Sequence, residues 1–121
     1  MRHAVNWFEL FVNDFDRAVR FYEGLLQVEL KKEIFMDLQN AIFPGDPDDV
    51  LGALVKHPSR RPSGEGALVY LNATGVLDAV LGRVVALGGT ILTPMTDIGE
   101  PGFIALIRDP EGNVVGLHSP R

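Results

Sequence analysis

The stretch Val5 to Val12 reads as a strand that is largely apolar on both faces, with Phe8, Leu10 and Val12 on one side and Trp7, Glu9 and Phe11 on the other. Glu9 is its only carboxylate. A carboxyl group turned into an apolar cavity loses hydration, so its pKa rises and it can serve as a general base or acid near neutral pH. The alternative is a structural Glu, ion-paired, water-bridged or exposed at a rim. The same two-residue alternation groups Leu68 with Tyr70 and Asn72, and Val114 with Gly116 and His118. His118 could exchange a proton with Glu9 or donate to a substrate oxygen, or be frayed and solvated near the end of the sequence. Asn72 suits either a ligand contact or a strand-end cap made through side-chain bonds to backbone. Trp7, Phe11 and Tyr70 offer stacking surfaces to a planar ligand, and the same rings would serve packing equally well.

Other chemistries are excluded or weak. With no cysteine in the 121 residues there is no disulfide, no thiolate-bound zinc and no thiol nucleophile, so any metal would fall to histidine and carboxylates. His3 and His57 look peripheral, and no spacing signature joins them to Glu9 or His118. The glycine-bearing loop Thr96 to Gly102 is acidic and does not resemble a phosphate cradle; it reads as a surface loop or a mobile lid. A net charge of -5 supplies no basic face for nucleic acid. No apolar run approaches the roughly 18 residues that a membrane span needs, and Met1-Arg2-His3-Ala4 shows no export signal, so a cytoplasmic location is expected.

The residues that could do chemistry must be held by a single domain, and at this length it buries roughly two thirds of its unfolded surface. After the first strand, Asn13-Asp14 can cap a helix with Phe15, Ala18, Val19, Tyr22, Leu25 and Leu26 at helical spacing, ending near Leu26 or Gln27. Val28 to Phe35, Met36 to Phe43 and Val50 to Lys56 read as strands, and the Pro- and Gly-bearing stretch His57 to Gly66 as a connector. The second half repeats this in kind: strand Ala67 to Ala73, helix Val76 to Leu87 closed by Gly88-Gly89, strand Thr90 to Leu92, loop Thr93 to Gly102, then a hairpin of Phe103 to Arg108 and Asn113 to His118. Its turn, Asp109-Pro110-Glu111-Gly112, places Asp, Pro and Gly where a type I turn prefers them. The order is strand, helix and three strands, twice, at an interval of roughly 60 residues.

Three stretches resemble the vicinal oxygen chelate superfamily of glyoxalases, bleomycin-resistance proteins and dioxygenases. They are Asn6-Trp7-Phe8-Glu9 through Val12-Asn13-Asp14-Phe15-Asp16-Arg17-Ala18 to Phe21-Tyr22, then Tyr70-Leu71-Asn72 through Gly88-Gly89, and finally Asp109-Pro110-Glu111-Gly112-Asn113 with Val115-Gly116-Leu117-His118. With Pro94-Met95-Thr96, the last resembles the subgroup of predicted enzymes related to lactoylglutathione lyase. The resemblance implies an α+β fold of two βαβββ modules, about 4–57 and about 66–119, forming a half-barrel pair around a concave pocket in one domain spanning 1–121, and often a homodimer. It also implies that the alternating sets above are cavity faces. The metal-ligand slots of the superfamily fall on Trp7, Leu68 and Gly116, with the remaining slot within Leu51 to Lys56, where there is no His, Asp or Glu. No cofactor and no metal are therefore expected, which puts the metal-dependent reactions of the superfamily in doubt here.

Two functions follow from these readings. One is a metal-free pocket that binds a small organic molecule between Trp7, Phe11, Tyr70 and Asn72. The other is a metal-independent enzyme of lyase or isomerase type, with Glu9 as general base and His118 or Tyr70 assisting. Loss of the ligand slots favours the first; the polar trio Glu9, Asn72 and His118 keeps the second open.

Overall fold

The computed structural model describes residues 3–121. Met1 and Arg2, the start of the stretch read above for export signals, lie outside the described residues. Strand β1 (Trp7–Phe11), helix α1 (Phe15–Leu26) and strands β2 (Lys31–Phe35), β3 (Leu38–Ile42) and β4 (Leu51–Lys56) make the first module. The second contains β5 (Tyr70–Asn72), α2 (Leu77–Leu81), β6 (Thr90–Asp97), β7 (Phe103–Arg108) and β8 (Val114–Ser119). Each module is a four-stranded sheet, ordered β1-β4-β3-β2 and β5-β8-β7-β6. The pairs β1–β4 and β5–β8 are parallel and the rest antiparallel. Two βαβββ modules in an α+β fold are thus present.

Helix α1 begins where Asp14 accepts the Arg17 N–H at 3.1 Å and ends at Gln27, which takes a left-handed conformation (φ 55°). Gly24 weakens a helix interior in isolation, yet it has a packing reason. A β-carbon there would lie 2.8 Å from a Leu87 methyl of the second module. Phe15, Ala18, Val19, Phe21, Tyr22 and Leu25 are buried in a single core with Leu10 and Leu54 of the first sheet and Leu71, Ile107 and Leu117 of the second. Both sheets therefore turn their helix-bearing faces inward to one core and their other faces outward.

Three expectations need correction. The second helix was expected over Val76 to Leu87, but regular α-helix stops at Leu81. Val76 provides no side-chain cap, Gly82 follows at once, and the β-branched Val84 and Val85 continue in tighter turns with bonds such as Val84 N–H to the Leu81 carbonyl. Thr90 to Leu92 extends instead to Asp97. Pro94, which argued for a loop, is tolerated because β6 is an edge strand with register shifts between Ile91 and Thr96. The candidate lid shrinks to a tight turn closed by the Ile98 N–H to the Gly102 carbonyl and held by Arg121 on Asp97 and on the Gly99 carbonyl. Strands β2 and β3 are joined by Met36-Asp37, both with positive φ (52° and 62°), a two-residue hairpin turn made without glycine.

The Asp109–Asn113 turn does more than join β7 to β8. Glu111, whose side chain is fully buried, accepts the backbone N–H groups of Asn13 and Asp14 and the guanidinium of Arg17 at the start of α1. Asp109 accepts the Tyr22 hydroxyl at 2.5 Å and the backbone N–H groups of Glu111 and Asn113. Asn113 donates to the Phe11 carbonyl and accepts from the Ser63 N–H. One turn of the second module thereby holds β1, α1 and the connector. Burial raises the Asp109 pKa above 3.8 against the lowering effect of these donors, and burial likewise pushes the Tyr22 hydroxyl well above its usual range.

Because the folded chain holds the Asp109 proton more tightly than the unfolded chain, this residue favours folding most below pH 3.8, and that contribution declines as pH rises through its folded pKa. Tyr22→Phe removes a donor from the buried carboxylate. It should lower stability by about 1–3 kcal/mol at neutral pH, measured by urea unfolding, and by less in acid where Asp109 is protonated.

Candidate functional site

The outward face of the first sheet follows from its register. Glu9, Ala53, Ile42 and Lys31 form one row across β1, β4, β3 and β2, and Phe11, Val55, Asn40 and Glu33 form the next. A recess of about 310 Å³ opens on this face, lined by Trp7, Glu9, Glu33, Phe35, Asn40 and Ile42. The Trp7 indole N–H donates to Glu9 at 3.2 Å, and Glu33 pairs with the exposed Lys31 at 2.9 Å. Asn40 is buried, 5% exposed, and its amide N–H donates to the Leu38 carbonyl, while its Oδ1 has no protein donor among the described residues.

On the second sheet Tyr70 pairs with Gly116 and Asn72 with His118. The Tyr70 ring lies directly across Gly116, where a β-carbon would come within 2.3 Å of it. Asn72 accepts from the Thr74 N–H at 2.9 Å and from the Thr74 hydroxyl, which makes it the pivot of a turn after β5. The His118 Nε2 lies 2.6 Å from the Pro101 carbonyl; since a carbonyl can only accept, this nitrogen carries the proton. A larger cleft of about 730 Å³ runs between the modules, with Phe8, Phe43 and Leu51 on the first and Leu68, Tyr70 and Asn72 on the second.

The residues singled out from sequence thus separate. Trp7 and Glu9 meet in the recess, Tyr70 and Asn72 line the cleft, and Phe11 and His118 line neither. Phe11 packs edge-on to His57, with the Arg60 guanidinium 5.8 Å from its ring centroid. Within one chain Glu9 bonds to Trp7 and His118 to Pro101, so the structure does not bring the two together. Sequence reasoning missed Glu33, Phe35, Asn40 and Ile42. Their alternation was readable in each strand, but their position beside Glu9 depends on a hairpin register set by Met36-Asp37, which carries no conventional turn signal.

Register places the fourth slot of the metal-binding pattern on Ala53, opposite Glu9, as Gly116 stands opposite Tyr70. Trp7, Ala53, Leu68 and Gly116 offer no ligand atom, and among the described residues no three His, Asp or Glu side chains group to hold an ion. The donor set therefore does not fit the metal of the superfamily.

The profile of the Glyoxalase/Bleomycin resistance protein/Dioxygenase superfamily matches residues 4–117. The chain belongs to this superfamily. A protein of Mycobacterium tuberculosis named "Putative glyoxylase CFP32" is 28% identical over 123 aligned positions, covering 93% of this chain and 44% of that protein, so the chain spans less than half the length of this relative. Among solved structures, TnmS3, an antibiotic binding protein from Streptomyces sp. CB03234, is similar with a TM-score of 0.74 at 24% identity, covering 100% of this chain and 99% of that one. A glyoxalase/bleomycin resistance protein from Albidiferax ferrireducens T118 gives a TM-score of 0.75 at 20% identity, covering 98% and 100%. These likenesses share the fold.

Gly116 yields a direct test of the second sheet's outward face. Gly116→Ala should swing the Tyr70 ring aside and lower stability by about 1–3 kcal/mol in urea unfolding, whereas Tyr70→Ala should make the same substitution nearly neutral in a double-mutant cycle.

Proposed function

We propose that this superfamily member binds a small organic molecule without a metal, in the recess on its first sheet. The observation that carries this reading is the convergence of two aromatic side chains, Trp7 and Phe35, with Glu9, Glu33 and the buried Asn40 on one hollow of the outward face. An apolar lining with a few placed polar groups is what a small-molecule site requires. The antibiotic-binding description of TnmS3 is a precedent for such use of this fold. Proton-transfer chemistry by Glu9 with His118 or Tyr70 has less support, because within the chain Glu9 lies beside Trp7 and His118 beside Pro101, and the two do not meet.

The same reading includes a homodimer. The outward faces leave Trp7 and Tyr70 each 44% exposed, Phe35 62% and Leu68 41%, and β1 and β5 each keep one unpaired edge. Pairing of two copies would cover this apolar surface and wall in the recess. No helix among the described residues is long and apolar enough to cross a membrane, and the expected location remains the cytoplasm.

Trp7 is the only tryptophan, so its fluorescence reports on the recess alone. Titration with small aromatic and aldehyde compounds should give a saturable change for at least one of them. It should be accompanied by stabilisation of about 2.7 kcal/mol at a hundredfold excess over Kd in the wild type and by none in Trp7→Ala. Unchanged fluorescence and melting across such a panel would refute the binding reading. Light scattering at micromolar concentration should give the mass of two chains; a single-chain mass would refute the dimer.

A further inference from the structure

We infer that the recess on the first sheet selects organic cations, specifically a protonated amine carried on an apolar or aromatic body. This rests on the reading of the recess as a ligand site and adds the charge and hydrogen-bonding character of what enters it.

Three features of the lining agree. First, the charged groups that line the hollow are both carboxylates. Glu9 is matched only by the Trp7 indole N–H at 3.2 Å, and a carboxylate has room for several more donors. Glu33 has Lys31, but that lysine side chain is 75% exposed, and such surface pairs contribute about 0–1 kcal/mol, so an incoming ammonium can replace it. Second, Asn40 is 5% exposed and has used an amide N–H on the Leu38 carbonyl, which leaves its Oδ1 as an acceptor at the hollow. Third, the walls are the rings of Trp7 and Phe35, whose faces attract cations and whose bodies accept an apolar stem.

Charge decides among ligand classes. Glu9 and Glu33 against Lys31 give the lining a net negative charge, on a chain whose own net charge is -5. An anion would meet two carboxylates. A neutral molecule of the same shape would gain the apolar walls but nothing from Glu9. A protonated amine has N–H donors for the Glu9 and Glu33 carboxylates and the Asn40 amide oxygen while its body lies against the rings.

The test uses three compounds of one shape: 2-phenylethylammonium, the neutral 2-phenylethanol and the anionic 3-phenylpropanoate, each titrated against the full chain with Trp7 fluorescence and thermal melting as readouts. The ammonium should bind about tenfold more tightly than the alcohol, and the carboxylate most weakly. Glu9→Gln keeps a carbonyl oxygen for the indole N–H but removes the charge. It should weaken the ammonium by about five- to tenfold and leave the alcohol unchanged, and Glu33→Gln should act in the same direction more weakly. Raised salt should weaken the ammonium alone. If the alcohol or the carboxylate binds as tightly as the ammonium, or if Glu9→Gln leaves the ammonium unaffected, the recess is a ligand site without preference for cations and this inference is overturned. If none of the three alters Trp7 fluorescence or melting, the ligand-site reading fails with it.

Discussion

The whole arrangement depends on two carboxylates carried by one hairpin turn. Asp109 and Glu111 are taken out of water in the second module and meet their donors mainly in the first: the Tyr22 hydroxyl, the Arg17 guanidinium and the free N–H groups at the start of α1. A buried carboxylate without donors is strongly unfavourable, so the modules can dock only in the position that supplies them. Apolar packing of α1 against both sheets provides the bulk of the cohesion but is tolerant of small slides and rotations. The hydrogen bonds are not. Once they fix α1, β1 is fixed as well through Asn113 and the Phe11 carbonyl, and with β1 the positions of Trp7 and Glu9.

Much of this architecture could be read from the sequence. Helix α1 was legible because its cap, its apolar spacing and its termination all agree, and β7 and its turn were legible because Asp-Pro-Glu-Gly has few other uses. The elements that departed did so where local preference conflicted with tertiary setting. Pro94 signals a loop unless the strand lies at a sheet edge, and edge position is a property of the whole sheet. Gly82 signals little by itself, but next to two β-branched valines it is enough to turn a helix into a series of tighter turns. The role of the Asp109 turn as a link between modules was hidden because its donors lie far away in sequence.

The site was legible strand by strand and not across strands. Alternation correctly grouped Trp7 with Glu9, and Tyr70 with Asn72, but could not reveal that the two sheets face away from each other around a common core. The corresponding faces of the two modules differ: the first carries a hollow beside Glu9, while Gly116 of the second is overlaid by Tyr70. A pattern that holds a metal in other members of the superfamily thus becomes two different surfaces once its ligands are absent.

The parallel strand pairs also bear on how the chain assembles. Trp7 aligns with Leu51 and Tyr70 with Gly116, so in each half the first strand must wait for the last before it gains a neighbour. Closing such a long loop is entropically unfavourable and slow compared with zipping the β2–β3 and β7–β8 hairpins, which are local in sequence. The expected order is hairpins and α1 first, parallel pairing next, and the Asp109–Glu111 linkage last, since it needs both halves in place. Interactions made that late do little to hasten folding and instead slow the escape from the native state. The turn that positions the recess is therefore expected to slow unfolding more than it speeds folding.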